Sequence, residues 1–517
     1  MDGITPKSIL GPSLLLLIAY LFLRRYQAQK ADSLYIRQHN CQPLKTLPYK
    51  WPLALDLLYE AYRQAMEGRI LRFFSNLVAP MPPTFEQKLL GLSGIDTVDP
   101  KNIEAVLGTQ FNNFGMGDRP DVWRPLMGPG IFTQDGDDWK HSRDMLRPLF
   151  QSKRFDNFVE VQESAEALLK CIPDGKVVDF QPLFFRFTLD TTTYLLFGRS
   201  IRSLADNNEE AEAFGDSFRV SQNYLAHRGR LGPLHWLLNT KEFRDSNATV
   251  HRWIDGEIKE ALANSSKEAD ERSTKPTDYG FLGSMMKETR DPKALRDALL
   301  NILLAGRDTT ACMLTWTMRL LVSHEKVMAK LQDEIESVVG VGEDARHPDR
   351  TDMKKMLYLS YVLKEVLRLY PSVPLNSRAA TKTTVLPTGG GADGKAPVFV
   401  KKGAPIGYAV YIMHRRKELY GSDAEAFRPE RWDPNVDNEV NLKGIGWGYL
   451  PFNGGPRVCI GQEFALLEAS YAIIRILQTF KRFERDPARD IPEVGQERQD
   501  VTLVLASGEG CWLRAST

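Results

Sequence analysis

Apolar side chains recur at every third or fourth position through much of the chain, which is the period of an amphipathic helix. The clearest such segments are 59–78, 139–149, 164–171, 214–226, 250–263, 295–321, 326–339, 353–369 and 464–480. Two glycine-containing segments, 85–98 and 383–410, predict short strands instead, and the second is rich in valine. Polar stretches at 264–277 and 340–350 predict surface loops. The pattern therefore predicts a mainly α protein with a small β region.

The N-terminus carries the most apolar stretch of the chain. Residues 9–23 read ILGPSLLLLIAYLFL, and basic residues follow them, whereas a cleaved secretory signal carries its charge before the apolar part. Extended to 4–26, the stretch approaches the roughly 20 residues of a membrane span. We therefore predict a transmembrane signal anchor over 1–26, a linker over 27–50 and one domain over 51–517 that lies in the cytosol. A peripheral or cleaved segment is the alternative.

Composition narrows the classes of function. The 517 residues include 67 Lys plus Arg against 66 Asp plus Glu, so no global field draws in nucleic acid. The five cysteines are odd in number and contain no CxxC pair, which excludes a disulfide framework and a structural zinc site. We expect a reducing compartment, in which the sequons at Asn247 and Asn264 stay unused.

One cysteine stands in a distinctive run, PFNGGPRVCIG, followed by a long helical pattern. The run resembles the haem-binding loop of the cytochrome P450 family at five positions: Phe452, Gly455, Arg457, Cys459 and Gly461. The physics agrees with this resemblance, because a thiolate that holds ferric iron needs backbone donors and a helix N-terminus to stabilise its charge, and glycines let the chain turn around it. The resemblance implies haem b with Cys459 as the axial thiolate and Arg457 against a haem propionate. The alternative is an ordinary buried cysteine.

Two more motifs follow the same family in the expected order. KEVLRLYP places Glu365 and Arg368 three residues apart on a helix, a spacing that usually gives a weak surface ion pair. AFRPERW resembles a second family segment, and the resemblance implies that Arg431 joins this pair in a buried network behind the haem. We expect the role of these three residues to be structural, not catalytic.

The helical segment DALLNILLAGRDTTACMLTW carries polar residues in an apolar surrounding, and glycine and paired threonines are locally unfavourable in a helix. It resembles the oxygen-binding helix of the family. The resemblance implies that Thr309 and Asp308 assist proton delivery during oxygen activation, beside a kink at Gly306. A solvent-bent surface helix is the alternative.

A fourth match, the helix that carries Trp139 and Arg143, resembles the family helix that reaches a haem propionate, and Arg378 is expected to do likewise. Nearby basic residues predict a docking face for an acidic reductase, although such clusters are usually only solvated. These residues are Lys140, Arg147, Lys153 and Arg154.

The resemblance extends from about residue 50 to the end. It implies a microsomal monooxygenase on the endoplasmic reticulum membrane, with electrons from NADPH through a separate reductase and with cytochrome b5 as a further donor. The runs AGRDTTA, MHRRKELYG and FRPERW are similar to the fungal alkane and fatty-acid hydroxylase branch, which makes a long aliphatic chain the expected substrate. Substrate contacts are expected from the loop after Phe111, Leu300, Leu304, 373–375 and 503–506, unless these are core residues.

Other functions remain open at this level. A tailoring monooxygenase that acts on a polyketide or terpenoid intermediate would carry the same motifs. A haem-thiolate isomerase or dehydratase would keep Cys459 but would not need Asp308 and Thr309. A membrane-anchored haem carrier would need neither.

Overall fold

The computed structural model describes residues 6–151, 159–270, 280–342, 345–489 and 492–517. Its helices are α1 (Pro6–Gln38), α2 (Leu55–Met66), α3 (Ile70–Val78), α4 (Pro100–Glu104), α5 (Arg119–Met127), α6 (Gly136–Gln151), α7 (Val159–Lys170), α8 (Phe180–Phe197), α9 (Glu209–Leu231), α10 (Lys241–Asp270), α11 (Gly280–Met285), α12 (Pro292–Ser323), α13 (Glu325–Val339), α14 (Arg350–Lys355), α15 (Leu357–Leu369), α16 (Val410–Met413), α17 (Lys417–Tyr420) and α18 (Gln462–Thr479).

The strands are short and form four small sheets. They are β1 (Thr84–Leu89), β2 (Leu92–Thr97), β3 (Phe114–Gly115), β4 (Val177–Asp179), β5 (Leu375–Ala380), β6 (Thr384–Gly390), β7 (Ala396–Val400), β8 (Pro405–Ala409), β9 (Arg482–Arg485), β10 (Gln499–Val501), β11 (Leu505–Ser507) and β12 (Trp512–Ser516). The largest sheet has the order β1-β2-β8-β5-β3, in which only β2 and β8 run parallel. The prediction of a mainly α fold with a small β region is confirmed.

Helix α12 is the centre of the core. It packs most extensively against α8 and also against α10, α15 and α18. Trp316 on α12 is almost fully buried, stacks on Tyr370 with ring centroids 4.0 Å apart, and donates its indole N–H to the carbonyl of Leu505 over 2.8 Å. Burial on all sides explains why α12 is apolar almost all round.

Most of the predicted helices occur within one or two turns of their expected bounds, but the single helix expected over 59–78 is wrong, since α2 ends at Met66 and α3 begins at Ile70. Three further differences have a physical reason. The sequence pattern missed α8, because a helix buried over most of its surface has too narrow a polar face to produce a clear period. The expected loop at 264–277 is wrong at its start, since α10 continues to Asp270. The expected helix 353–369 is divided at Met356, whose extended ψ of 81° ends α14.

The N-terminal helix is longer than the expected anchor. α1 continues past residue 26 to Gln38, so the first part of the expected linker is helical. Its residues from Leu15 to Leu23 are exposed and apolar. Within the described part of the chain, no helix combines the length and the apolarity needed to cross a membrane.

Candidate active site

A cavity of about 240 Å³ lies between α12, α6, β5 and the loop that precedes α18. Eight residues expected from the motifs line it: Trp139, Arg143, Thr309, Arg378, Phe452, Arg457, Cys459 and Gly461. Two others, Asp308 and Gly455, do not. The fold therefore brings residues that are as much as 322 positions apart to one internal surface.

The cysteine loop is shaped by one glycine in particular. Gly455 has a φ of +67°, and a Cβ there would lie 1.9 Å from the carbonyl oxygen of Leu107. Only glycine permits both the left-handed backbone and this close approach. The turn lets the backbone N–H of Cys459 donate to the carbonyl of Phe452 over 3.0 Å. Gly461 has an ordinary φ of −91° and directly precedes α18.

Cys459 presents its exposed surface to the cavity, while protein surrounds the rest of the residue. This burial raises the pKa of the thiol, and the backbone N–H of Gly461 and the Arg143 guanidinium oppose the increase. A thiolate at this position therefore depends on a further positive partner, such as a ferric ion, to hold its charge.

Four arginines face the same cavity: Arg119, Arg143, Arg378 and Arg457. None of its described lining residues is Asp or Glu. Burial, and after it the repulsion from Arg378, lowers the pKa of Arg119 and of Arg457 to about 10 each. Outside the lining, Asp135 pairs with Arg457 over 2.6 Å. Such a concentration of buried positive charge suits a dianionic ligand, as the two propionates of haem b provide.

The predicted residues around these arginines pack closely. The Arg457 guanidinium lies 4.3 Å from the centroid of the Trp139 ring, and the Arg143 guanidinium lies 5.8 Å from the same centroid. Arg143 also donates to the carbonyl of Val458 over 2.8 Å, which ties α6 to the cysteine loop. Arg378 donates to the carbonyl of Ser377 over 2.7 Å. Arg119 shares this surface, and no sequence motif pointed to it.

On α12, Thr309 and Gly306 line the cavity. The Thr309 hydroxyl donates to the carbonyl of Ala305 over 2.8 Å, and Ser372 donates to the carbonyl of Thr309 over 2.8 Å. The helix is continuous through Gly306, where a kink was expected. What the glycine permits is close packing, since a Cβ there would lie 2.8 Å from the hydroxyl oxygen of Thr192 on α8.

Asp308 lies on the other side of α12, in a separate cavity of about 470 Å³ that contains Arg186, Glu212 and Asp500. Its carboxylate is 3.3 Å from the Arg307 guanidinium. Burial raises the pKa of Asp308, and Arg307 and Gln222 oppose the increase. The structure therefore separates the two residues that the motif suggested as one relay.

The three residues Glu365, Arg368 and Arg431 form a fully buried cluster. Arg368 binds Glu365 through two N–H groups at 2.9 and 2.8 Å, and Arg431 binds it at 2.7 Å. Trp432 adds a further donor at 2.9 Å. The other guanidinium N–H groups donate to backbone carbonyls, among them that of Ala426, and Arg431 also donates to the Asp423 carboxylate at 3.1 Å. Burial opposes ionisation, but Arg368 and Arg431 hold the pKa of Glu365 below its usual value.

Sequence reasoning missed two buried titratable residues. His414 is fully buried and joins the Glu365 cluster to the cysteine loop, since its Nδ1 bonds the carbonyl of Arg368 at 3.1 Å and its Nε2 accepts the N–H of Leu450 at 2.8 Å. Burial and then Arg368 lower its pKa to about 3. Glu468 on α18 is fully buried and accepts the hydroxyl of Thr191, and burial raises its pKa to about 8. For Glu468, the available signal was an acidic residue inside the apolar helical pattern at 464–480.

The expected substrate contacts are corrected in part. Leu300 and Leu304 are core residues that do not line the cavity, whereas Ile302 does. Val373 lines it as expected, but Val504 and Ala506 border the cavity that holds Asp308. Met116, in the loop after Phe111, lines the cavity as expected, and Ile131 and Phe132 line it from the next loop, which follows α5. Lys140 and Arg147 are exposed, and Lys153 and Arg154 lie outside the described residues.

A helical fold around an internal cavity that is lined by a cysteine and four arginines fits a haem-thiolate protein, and comparison with known proteins agrees. The cytochrome P450 family model matches residues 49–507. The chain belongs to the cytochrome P450 family, and it is a monooxygenase that carries haem with a cysteine thiolate ligand.

Relatives of high similarity are fungal. A cytochrome P450 of Arthroderma benhamiae is 50% identical over 502 residues, which cover 96% of each chain. Cytochrome P450 52A5 of Candida maltosa is 46% identical and covers 86% of this chain and 85% of its own. Cytochrome P450 52A1 of Candida tropicalis is 40% identical and covers 98% and 92%. The crystal structure of the cytochrome P450DA heme domain superimposes with a TM-score of 0.75 at 21% identity, covering 92% of this chain and 98% of that chain, which supports the fold alone.

Proposed function

We propose that this monooxygenase hydroxylates a long aliphatic chain, an alkane or a fatty acid, at or near its terminal carbon. The observation that carries the proposal is the cavity itself, in which Cys459 and the Gly306–Thr309 side of α12 face one space with an apolar wall. Ile131, Phe132, Ile302 and Val373 contribute to this wall. An apolar wall without described acidic residues favours a lipophilic substrate. The resemblance to the fungal 52A relatives supports the aliphatic class.

The residues around the cavity suit haem b. Cys459 would hold the iron, Phe452 and Gly461 would flank the thiolate, and the four arginines with Trp139 would receive the propionates. When bound, haem supplies the activation of dioxygen. The protein contributes an apolar space that excludes water and an arrangement of side chains that holds the substrate close.

In this proposal Asp308 and Thr309 carry out different parts of proton delivery, each from its own side of α12. The Thr309 hydroxyl lines the cavity, and Asp308 borders the second cavity, which contains the charged residues Arg186, Glu212 and Asp500. Because burial raises its pKa, Asp308 binds a proton more readily than an exposed aspartate does. It would take protons from the second cavity and pass them across α12.

Electrons would come from NADPH through a membrane-bound NADPH–cytochrome P450 reductase, with cytochrome b5 as a further donor. The exposed Lys140 and Arg147 on α6, the helix that also carries Arg143, support a docking face for an acidic partner there. Charge reversal at Lys140 and Arg147 should slow electron transfer at low ionic strength and have little effect at high ionic strength. Equal rates at low ionic strength would contradict this docking face.

Localisation at the endoplasmic reticulum membrane is part of the proposal. The exposed apolar residues of α1 support it, and so do those of two further segments, 51–66 and 231–237. Large exposed apolar side chains at this density commonly mark a membrane or protein contact. These residues are Trp51, Leu53, Leu55, Tyr59, Tyr62 and Met66 in the first segment and Leu231, Leu234, Trp236 and Leu237 in the second.

A panel of alkanes, fatty acids and polyketide-like compounds tests the substrate class. The holoenzyme should show the absorption change of displaced iron-bound water with the aliphatic compounds, and should hydroxylate them when reductase and NADPH are added. A response to the polyketide-like compounds alone would overturn the aliphatic proposal. Rapid rearrangement of a hydroperoxide without NADPH, and no NADPH-dependent product, would indicate an isomerase instead.

Variants test the two central residues. Cys459→Ala should lose the red-shifted band of the reduced carbon monoxide complex together with all activity. Thr309→Ala should keep that band and lower the coupling of NADPH use to product by roughly 10²-fold. Thr317→Ala is the matched control, because the Thr317 hydroxyl makes the same bond to a carbonyl four residues earlier, that of Met313 at 2.7 Å, and Thr317 itself does not line the cavity. Equal coupling in both threonine variants would remove Thr309 from the mechanism.

A further inference from the structure

The loop between α5 and α6, residues 128–135, forms one wall of the cavity. Ile131 and Phe132 of this loop line the cavity directly, and the Phe132 ring contacts Trp123 with centroids 6.3 Å apart. The loop contains no helix or strand that would fix its position against the cavity. Its position therefore depends on the side chains that bind its backbone.

One buried residue on α12, Asn301, binds this loop. The Asn301 side-chain oxygen accepts the backbone N–H of Phe132 at 3.2 Å. Its amide nitrogen donates to the carbonyl of Met127 at 3.2 Å and to the carbonyl of Asp297 at 2.8 Å. Asn301 is fully buried among apolar neighbours, where an unpaired amide is costly. These bonds explain why a polar residue is tolerated at this point of the helix.

Two glycines let the loop backbone approach α12 closely. A Cβ at Gly130 would lie 2.4 Å from the amide nitrogen of Asn301, and a Cβ at Gly128 would lie 2.2 Å from the carboxylate of Asp297. Gly128 also has a φ of +59°. The contact between loop and helix thus has no room for adjustment, and a change on either side must move the loop.

The opposite edge of the loop is bound to the cysteine loop. Arg457 donates to the carbonyl of Ile131 at 3.4 Å and to that of Gln134 at 3.0 Å. Asn301 and Arg457 therefore hold the loop from two sides, with Ile131 and Phe132 between them. Arg457 also belongs to the surface expected to bind haem, whereas Asn301 binds the loop from α12, outside that surface.

We propose that Asn301 is a positioning residue that determines specificity: it fixes Phe132 and Ile131 over the cavity and so selects which carbon of the substrate is presented for oxidation. The inference rests on the proposed function for the class of substrate. Asn301 itself does not line the cavity, so it acts through the loop. Loss of its bonds lets the wall shift and relaxes the choice of carbon.

Asn301→Ala tests the proposal, with Asn102→Ala as the matched control. Asn102 is equally buried and bonds Thr84 at 2.7 Å and the carbonyl of Thr388 at 2.9 Å in the β region, and it does not line the cavity. For the panel compound that the wild-type holoenzyme binds best, Asn301→Ala should raise the spectral Kd by roughly 3- to 10-fold and spread hydroxylation over neighbouring carbons. Asn102→Ala should leave the Kd and the product distribution unchanged.

Two further measurements separate positioning from a loss of structure. Hydrogen exchange should increase in residues 128–133 of Asn301→Ala, while the carbon monoxide band stays intact. Gly130→Ala perturbs the same contact from the loop and should redistribute the products in a similar way; if Asn301→Ala does not fold, this variant decides. An unchanged product distribution in the variants that fold would overturn the inference. If aliphatic compounds fail to bind the wild type but another panel compound binds, the proposed substrate class fails, and the same variants still test Asn301 with that compound.

Discussion

Two polar regions inside this protein differ in how completely their hydrogen bonds are satisfied. Behind the cysteine loop, Glu365, Arg368 and Arg431 are fully buried, and every one of their buried polar atoms has a partner. Around the Gly306–Thr310 part of α12, several buried polar atoms have no hydrogen-bond partner among the described residues. These atoms belong to Thr192, Gln222, Arg307, Asp308 and Glu468.

The difference indicates different roles. A satisfied ionic cluster in a low dielectric resists any change of geometry or charge, so it stabilises one arrangement of α15 and the loops around it. Groups with unused bonding capacity are costly to bury, and they persist where protons or ligands must be exchanged. The first region therefore holds the cysteine loop in place, and the second provides groups beside α12 that can exchange protons or bind ligands.

The largest effect on stability is expected from Glu365→Gln in the first region, where every buried polar atom of the ionic cluster has a partner. The change leaves two buried guanidinium groups without their common counter-charge, and we expect a loss of about 3 to 5 kcal/mol in the free energy of unfolding, or failure to bind haem. Denaturant unfolding and the yield of holoenzyme measure it. The control is Glu418→Gln, because the exposed Glu418 pairs with Arg416 at 3.3 Å and should cost less than about 0.5 kcal/mol. Similar losses in both variants would refute the structural role of the cluster.

In the second region, where several buried polar atoms lack partners, Glu468 should make the free energy of unfolding depend on pH. Its pKa is raised from 4.5 to about 8 in the folded protein, so the folded state retains a proton that the unfolded state releases. This stabilisation is complete below pH 4.5 and is lost as the pH rises through 8, by up to about 5 kcal/mol. Glu468→Gln stays neutral, so its stability relative to wild type should increase over this range. Parallel stability curves for the two proteins would show that Glu468 is already ionised at neutral pH.

For His414 we expect the opposite change, a free energy of unfolding that decreases as the pH falls. Its pKa falls from 6.5 to about 3 on folding, so the unfolded state binds a proton that the folded state excludes. Stability is complete above pH 6.5 and decreases as the pH falls, by about 3 kcal/mol near pH 4. His414→Gln should remove this dependence, while the exposed His141→Gln should not. If His414→Gln keeps the full acid dependence, other groups in the cluster are responsible.

The separation along the chain between interacting residues explains which parts of the site could be predicted from the sequence. The motifs identified Cys459, Arg457 and Glu365 because their spacing is local, and helical periods found most helices. Arg119, His414 and Glu468 were missed because their partners are far away in the chain: Arg119 bonds Asn376 at 2.7 Å, and Glu468 bonds Thr191. The separation of Asp308 from Thr309 follows from helix geometry, since adjacent residues on a helix point about 100° apart, but which side faced the cavity depended on how α8 and α9 pack.

The smallest effect is expected when Glu468, a buried carboxyl that keeps its proton, loses the hydroxyl that donates a hydrogen bond to it. Thr191→Val keeps the shape of the side chain but removes the hydroxyl that donates to Glu468, which should cost about 1 kcal/mol at neutral pH. Because this bond lowers the pKa of Glu468, its loss should move the alkaline decrease in stability to higher pH. Thr188→Val is the control, since the Thr188 hydroxyl bonds the carbonyl of Phe184 at 3.0 Å on the same helix. It should leave the alkaline transition unchanged. An alkaline shift of the same size in both variants would mean that α8 as a whole, not the Thr191 hydroxyl, sets the protonation of Glu468.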